Sequence, residues 1–357
     1  MERDILSVLQ DAVRRQASDI FIVSGCPLTL KVHGQLQQTG DGKLLPADTE
    51  LLLQQIYRHD NGRSMENFLR TGDDDFSFSI SGLGRFRCNA YKQRGSMAAV
   101  LRVVSFTLPD AEQLHIPPAV TGLYRMRKGL VLITGSAGSG KSTTLACIID
   151  RINRNFHDHI ITIEDPIEFL HTHQNSIVSQ REIAHDTVGY VEALRAALRQ
   201  SPDVILLGEM RDFETIQTAI TAAETGQLVL STLHTLGAAK TIDRVIDVFP
   251  PNQQQQIRIQ LSMVLQAVVS QQLVPAVDGS LRPAFEVMIV NSAIRNLIRE
   301  GKTHQLDNVI FSGSSEGMIS MDSDLLRLYR EGVISKETAR IYSTNLESMD
   351  KKLLNSK

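Results

Sequence analysis

The stretch GLVLITGSAGSGKSTTLA, residues 129–146, decides the fold. Its opening apolar run, Leu130 to Ile133, reads as a buried strand, and from Lys141 to Asn153 the pattern reads as a helix. Between them GSAGSGKS, residues 135–142, matches G-x-x-x-x-G-K-[ST] in full. Gly135, Gly138 and Gly140 lack a Cβ, so the backbone can wrap closely around phosphate oxygens. The first N–H groups of the helix and its aligned dipoles favour an anion there. Ser136, Ala137 and Ser139 complete the loop. Lys141 is expected to reach the β- and γ-phosphates, Ser142 to ligate Mg²⁺, and Thr143 to meet the α-phosphate side. ATP with Mg²⁺ is therefore the implied ligand. A glycine turn with a chance lysine is the competing explanation, and the strand and helix on either side argue against it.

Beyond the loop, apolar strands alternate with amphipathic helices. Strands are expected at 130–134, 160–163, 204–207, 228–231 and 285–290. Helices are expected at 141–153, 187–199, 214–223, 238–245 and 255–271. Such alternation predicts an α/β domain with a largely parallel sheet and helices on both faces. Helices are also expected at 293–300, 320–331 and 335–346, packing on that core.

In such a sheet the carboxyl ends of the strands gather at one ligand-binding edge. Three polar clusters follow strands here. Glu164 and Asp165 end the run Ile161-Thr162-Ile163 just before Pro166, placing a carboxylate where it can polarise an attacking water. Glu209 follows Val204–Leu207 and Gly208, so an apolar strand ends in an acid suited to holding Mg²⁺. Gly208 stands where many P-loop proteins carry Asp, which leaves the role to Glu209. His234 follows a third strand and is either a γ-phosphate contact or a structural hydrogen-bonding group.

Upstream, short elements alternate. Ile5, Leu6, Leu9 and Val13 keep helical spacing, 20–23 and 28–32 read as strands, and 48–57 as a helix capped by Asp48 or Thr49. Residues 76–80, 86–90 and 98–104 alternate as strands. This predicts a smaller α+β domain over 1–107. Prolines at 109, 117 and 118 mark 108–128 as a linker, leaving 129–357 to the ATPase domain. Arg85, Arg87, Arg94 and Arg102 in the first domain, and Arg195, Arg199 and Arg211 in the second, are candidates to stabilise charge on the γ-phosphate. Ordinary solvated arginines are the alternative.

Composition narrows the function classes. A net charge of −3 and 5% aromatic residues without tryptophan argue against a nucleic-acid motor that relies on phosphate attraction and base stacking. Three scattered cysteines, Cys26, Cys88 and Cys147, support neither a disulfide framework nor a zinc ribbon. The amino terminus lacks a signal-peptide apolar core, and the apolar runs are far shorter than the ~20 residues that span a bilayer. A cytosolic protein is the expectation.

Taken together, these motifs resemble the secretion ATPase superfamily of type II secretion and type IV pili, over nearly the whole chain. QASDI (16–20) with Lys31-Val32-His33-Gly34 is similar to the family's opening segment, and DFSFSISGLGRFRCNAYKQRG (75–95) to its next. GSAGSGKSTTLA, TIEDPIEF, GEMRD and TLHT then follow in family order. The string AIRNLIRE (293–300) resembles the motif of the pilus-retraction members. Phe21, Gln227 and Ala137 depart from the residues common at their positions. The chain also lacks the longer amino extension and cysteine cluster of the pilus-assembly members.

The resemblance implies a PAS-like amino-terminal domain, a RecA-like carboxyl domain and a homohexameric ring. It assigns Glu164 to the attacking water, Glu209 to the metal, His234 to the γ-phosphate, and Arg94 and Arg102 to completing the site when the domains close. The implied function is an ATP-hydrolysing motor for pilus retraction. It would work at the cytoplasmic face of the inner membrane through a platform protein of that membrane, without nucleic acid. The alternatives are a pilus-extension or secretion ATPase of the same superfamily, or a nucleotide-dependent scaffold that is no motor.

Overall fold

The computed structural model describes residues 4–354 apart from 33, 61, 105–107 and 109. His33 of the opening segment and Pro109 of the proline-bearing span therefore lie outside the described residues. The chain divides into two compact units, Met1–Thr107 with Glu168–Leu170, and Leu108–Ile167 with His171–Lys357.

The first unit runs α1 (Ile5–Arg14), β1 (Ala17–Ile22), β2 (Pro27–Val32), β3 (Gln35–Lys43), α2 (Pro46–His59), α3 (Glu66–Thr71), β4 (Asp73–Ile80), β5 (Gly84–Gln93) and β6 (Ser96–Val104). All strand pairs are antiparallel, in the order β3-β2-β1-β6-β5-β4. The period of two sends Phe76, Phe78 and Phe86 into one core with Tyr57 and Phe68. The polar strand β3 and the short α3 carry no clear periodicity, and both were absent from the expected elements. Helix α2 starts earlier than expected: Leu45 is its N-cap, and Asp48, three residues on, accepts the Leu45 N–H at 2.7 Å.

Asp74 shares its strand face with Phe76 and is buried, so its charge needs partners. Arg63 donates to both of its oxygens, at 2.9 and 3.1 Å, and the Tyr57 hydroxyl donates at 2.8 Å. Burial works against ionisation, but Arg63 and Tyr57 outweigh it and hold the carboxyl below its usual range. A depressed folded value means the stabilisation is complete above the ordinary carboxylate range and is lost as pH falls through the folded value. Asp74→Asn is expected to cost about 3 kcal/mol at pH 7 and to flatten the loss of stability in acid. Urea unfolding at pH 7 and pH 3 checks this, and an equally steep acid loss in the variant would count against it.

The second unit runs α4 (Pro118–Thr121), β7 (Gly129–Thr134), α5 (Lys141–Asn155), β8 (His159–Glu164), β9 (Ile177–Glu182), α6 (Tyr190–Ala197), β10 (Val204–Leu207), α7 (Phe213–Glu224), β11 (Leu228–Leu233), α8 (Ala238–Asp247), α9 (Pro251–Val264), β12 (Leu265–Pro275), β13 (Leu281–Ile289) and α10 (Ser292–Arg299). Four further helices follow: α11 (Leu306–Ser312), α12 (Met321–Arg330), α13 (Lys336–Ile341) and α14 (Leu346–Leu354). The sheet order is β13-β12-β7-β11-β10-β8-β9, parallel except for β13 against β12. This is the α/β fold the alternation predicted.

The parallel strands are apolar on both faces because each face has its own core. Leu130, Leu132, Ile161, Ile163, Ile205 and Leu207 pack with α6 to α10. Val131, Ile133, Ile160, Val204 and Leu206 pack with α5 on the other side. Ile116, Val120 and Leu123 join that second core. Much of the span read from its prolines as a linker is thus packed structure, and Pro118 opens α4, where a missing N–H is harmless.

The helix expected over 255–271 ends at Val264, and the chain continues directly as β12. Ile257, Leu261 and Val264 keep helical spacing, and Leu265 and Val268 prolong it. Tertiary structure overrides the pattern, since β12 fills the position between β7 and β13. The expected helix at 187–199 begins only at Tyr190, and the one at 335–346 ends at Ile341 as α13, with the separate α14 starting at Leu346. Strand β9, at the sheet edge, was not expected.

Candidate nucleotide-binding site

The loop 135–140 leaves β7 and turns into α5, whose first residue is Lys141. Gly135, Gly138 and Gly140 have φ of 147°, 75° and 88°, conformations that L side chains rarely adopt. Space is short as well. A Cβ on Gly135 would stand 2.2 Å from the Gln271 carbonyl oxygen, and one on Gly140 would stand 2.8 Å from Gln271 Nε2. Lys141 is buried, and its Nζ donates to the Gly135 and Ser136 carbonyls at 3.0 and 2.8 Å. Ser142 and Thr143 are half-buried on the first turn of α5. The Ser139 hydroxyl is buried without a partner among the described residues, so the loop holds polar capacity its own fold does not use. A cleft of about 240 Å³ opens beside Gly140 and Thr143, walled by Leu114, Ile116, Leu273 and Pro283.

Register brings the acidic clusters together. Ile163, Leu207 and Ser231 are paired across β8, β10 and β11, so the residues after them emerge at one edge. Glu164 Oε1 accepts the Thr162 hydroxyl at 2.7 Å and the Gln180 side-chain amide at 3.3 Å. Glu209, its side chain largely buried, meets Arg211 Nε at 2.6 Å and His234 Nε2 at 3.3 Å. Two clusters separated in sequence thus share one carboxylate. Gly135 N donates to the Leu233 carbonyl at 3.2 Å, tying the residue before His234 to the phosphate loop.

Gly208 has a packing reason. A Cβ there would lie 2.9 Å from the Tyr190 hydroxyl and 3.4 Å from Glu164 Cα. Tyr190 itself faces the acids: burial, and then the charges of Glu209, Asp165 and Glu164, keep its hydroxyl protonated well beyond the usual range. Sequence reading missed Tyr190, which sat unmarked near the start of an expected helix. It also missed Gln271, hidden by the helical reading of 255–271. The β-branched pair Val268-Val269 ahead of Pro275 was the available strand signal.

The first-unit arginines have their own surroundings. Arg87 forms a two-bonded pair with Asp75, at 3.0 and 2.6 Å. Arg102, opposite Arg87 across the strands, leans on Asp19 at 3.4 Å. Arg94 is exposed at the β5–β6 hairpin tip with φ of 47°, followed by Gly95 at 77°. In the second unit Arg195 and Arg199 are exposed.

The AIRNLIRE string forms α10. Ile294 and Ile298 enter the core, Leu297 packs against it, and Arg295 donates to the Ser262 and Met263 carbonyls at 2.6 and 2.9 Å. That contact satisfies carbonyls at the end of α9, where the chain changes from helix to strand.

Comparison with known proteins adds three relatives. The chain is 44% identical over 337 residues to the type IV pilus retraction ATPase PilT of Pseudomonas aeruginosa, covering 94% of this chain and 97% of that one. It is 42% identical over 346 residues to the twitching motility protein of Neisseria gonorrhoeae, covering 97% and 92%. A crystal structure described as the pilus retraction motor PilT with bound ADP superposes with a TM-score of 0.88 at 44% identity, covering 98% of this chain and all of that one. The family model of type II/IV secretion system proteins matches residues 1–352, and this chain is a member of that family.

Proposed function

We propose that this chain is an ATP-hydrolysing motor that powers retraction of a type IV pilus. The single observation that carries the reading is the convergence at one sheet edge. The Lys141 loop, Glu164, and the Glu209–His234 contact are supplied by four neighbouring parallel strands. Relatives named for pilus retraction and twitching match it over nearly their whole length.

In this reading Lys141 exchanges its loop carbonyls for the β- and γ-phosphate oxygens, with Ser136, Ala137 and Ser139 forming the rest of the cradle. The base and ribose occupy the cleft beside Gly140 and Thr143. Ser142 and Glu209 are the residues that would hold Mg²⁺, which supplies charge neutralisation at the β- and γ-oxygens. Glu164, held by Thr162 and Gln180, orients the attacking water and draws on its proton. His234 ties the γ-phosphate end of the site to Glu209. The family pattern assigns Arg94 and Arg102 to the same reaction.

The working form in this reading is a homohexamer that engages an inner-membrane platform protein from the cytoplasmic side. No helix among the described residues is long and apolar enough to cross a membrane, which suits contact through protein partners. The deciding experiment is pilus length and twitching in cells carrying Lys141→Ala. Long, persistent pili without movement are expected, and absent pili would mean extension instead.

A further inference from the structure

Gln271 of β12 meets the phosphate loop at two places and the first turn of α5 at a third. Its Oε1 accepts the Thr144 hydroxyl at 2.7 Å, in the first turn of α5. Its carbonyl oxygen closes off Gly135, and its Nε2 closes off Gly140. Gln271 is 3% exposed and Thr144 is fully buried. An amide in such a place costs free energy unless it is partnered, and an aliphatic side chain would fill the space beside Gly140 and Thr144 without that cost. Elsewhere in β12, Val268, Val269 and Val274 are aliphatic and buried, while the adjacent Ser270 is buried and polar.

We propose that Gln271 is a positioning residue for the nucleotide. It braces the start and end of the loop together with the first turn of α5, so that Lys141, Ser142 and Thr143 present a single arrangement to the phosphates. The inference rests on reading this loop as the ATP site. Gln271 packs against Gly135, Gly140 and Thr144, and with Thr144 it also forms part of the wall of the cleft beside Gly140 and Thr143. A brace of this kind serves ground state and transition state alike, so it acts on affinity and leaves the chemical step largely alone.

The test is a double-mutant cycle on the full-length protein. Gln271→Met keeps length and approximate volume while removing both amide atoms. Thr144→Val removes the hydroxyl from the opposite side. Each is expected to raise the KM for ATP, and the Kd for a fluorescent ATP analogue, about tenfold, with kcat within about threefold. The double variant is expected to lose no more than the worse single one, because both delete the same contact.

A residue that only fills the core would lower the melting temperature and leave KM unchanged, and that result overturns the proposal. Fully additive losses overturn it too. Should Gln271→Met fail to fold, Thr144→Val decides alone by the same split between KM and kcat. A wild-type protein that neither binds nor hydrolyses ATP removes the underlying reading. An active wild type with unaltered variants removes only the brace.

Discussion

Glu164→Gln is expected to leave ATP binding within about threefold of wild type while lowering kcat by about 10²–10³-fold. The substitution is nearly isosteric and keeps an oxygen to accept the Thr162 hydroxyl and the Gln180 amide, so the end of β8 stays in place. On the role proposed for Glu164, what disappears is the negative charge that would draw a proton from water as it attacks. Glu209 follows the neighbouring strand β10 and already meets Arg211 and His234, so it is poorly placed to take over. Steady-state phosphate release alongside nucleotide titration makes the comparison. Turnover close to wild type would remove Glu164 from the chemistry and return the choice to Glu209 or Asp165.

Gly135→Ala is expected to be the most damaging single-methyl change in the loop, costing about 3 kcal/mol or more in stability. Two effects add. A φ of 147° is strained for any residue with a Cβ, and the new carbon would lie 2.2 Å from a backbone oxygen of β12, which cannot rotate away. Gly138→Ala is the control. It also has a positive φ, of 75°, but nothing lies within 4 Å of the added carbon. That variant should lose only about 1–2 kcal/mol. Thermal or denaturant unfolding of the two variants side by side measures the difference, and equal losses would mean that the close approach of β12 is unimportant.

The residues that could be read from the sequence share a property: their signal is local. The loop 135–142 carries its glycines, lysine and serine at fixed spacing, and Glu164, Glu209 and His234 each follow an apolar strand. Their meeting could be inferred because parallel strands end at a common edge. Gln271 and Tyr190 reach the same region through tertiary packing and leave no local mark. Gln271 was further concealed by a helical apolar spacing that runs from Ile257 through Val268, across the point where α9 becomes β12. Composition could not distinguish prolines that link from prolines that shape packed chain, as those at 117 and 118 do beside the buried Ile116 and Val120. Strand β3 escaped because its residues are mostly polar, and among the described residues its strand partner is β2.

The two cores that share the central sheet limit how this chain can change. Residues of β7, β8 and β10 alternate between the cores, so deleting a single residue would send every side chain beyond it to the wrong side. Descendants of this sequence can therefore exchange one aliphatic residue for another within those strands, but they cannot readily alter the strands' length. Insertions should instead collect in connections such as 183–189, where a longer loop changes neither register nor which side chains meet at the edge beside the loop 135–140.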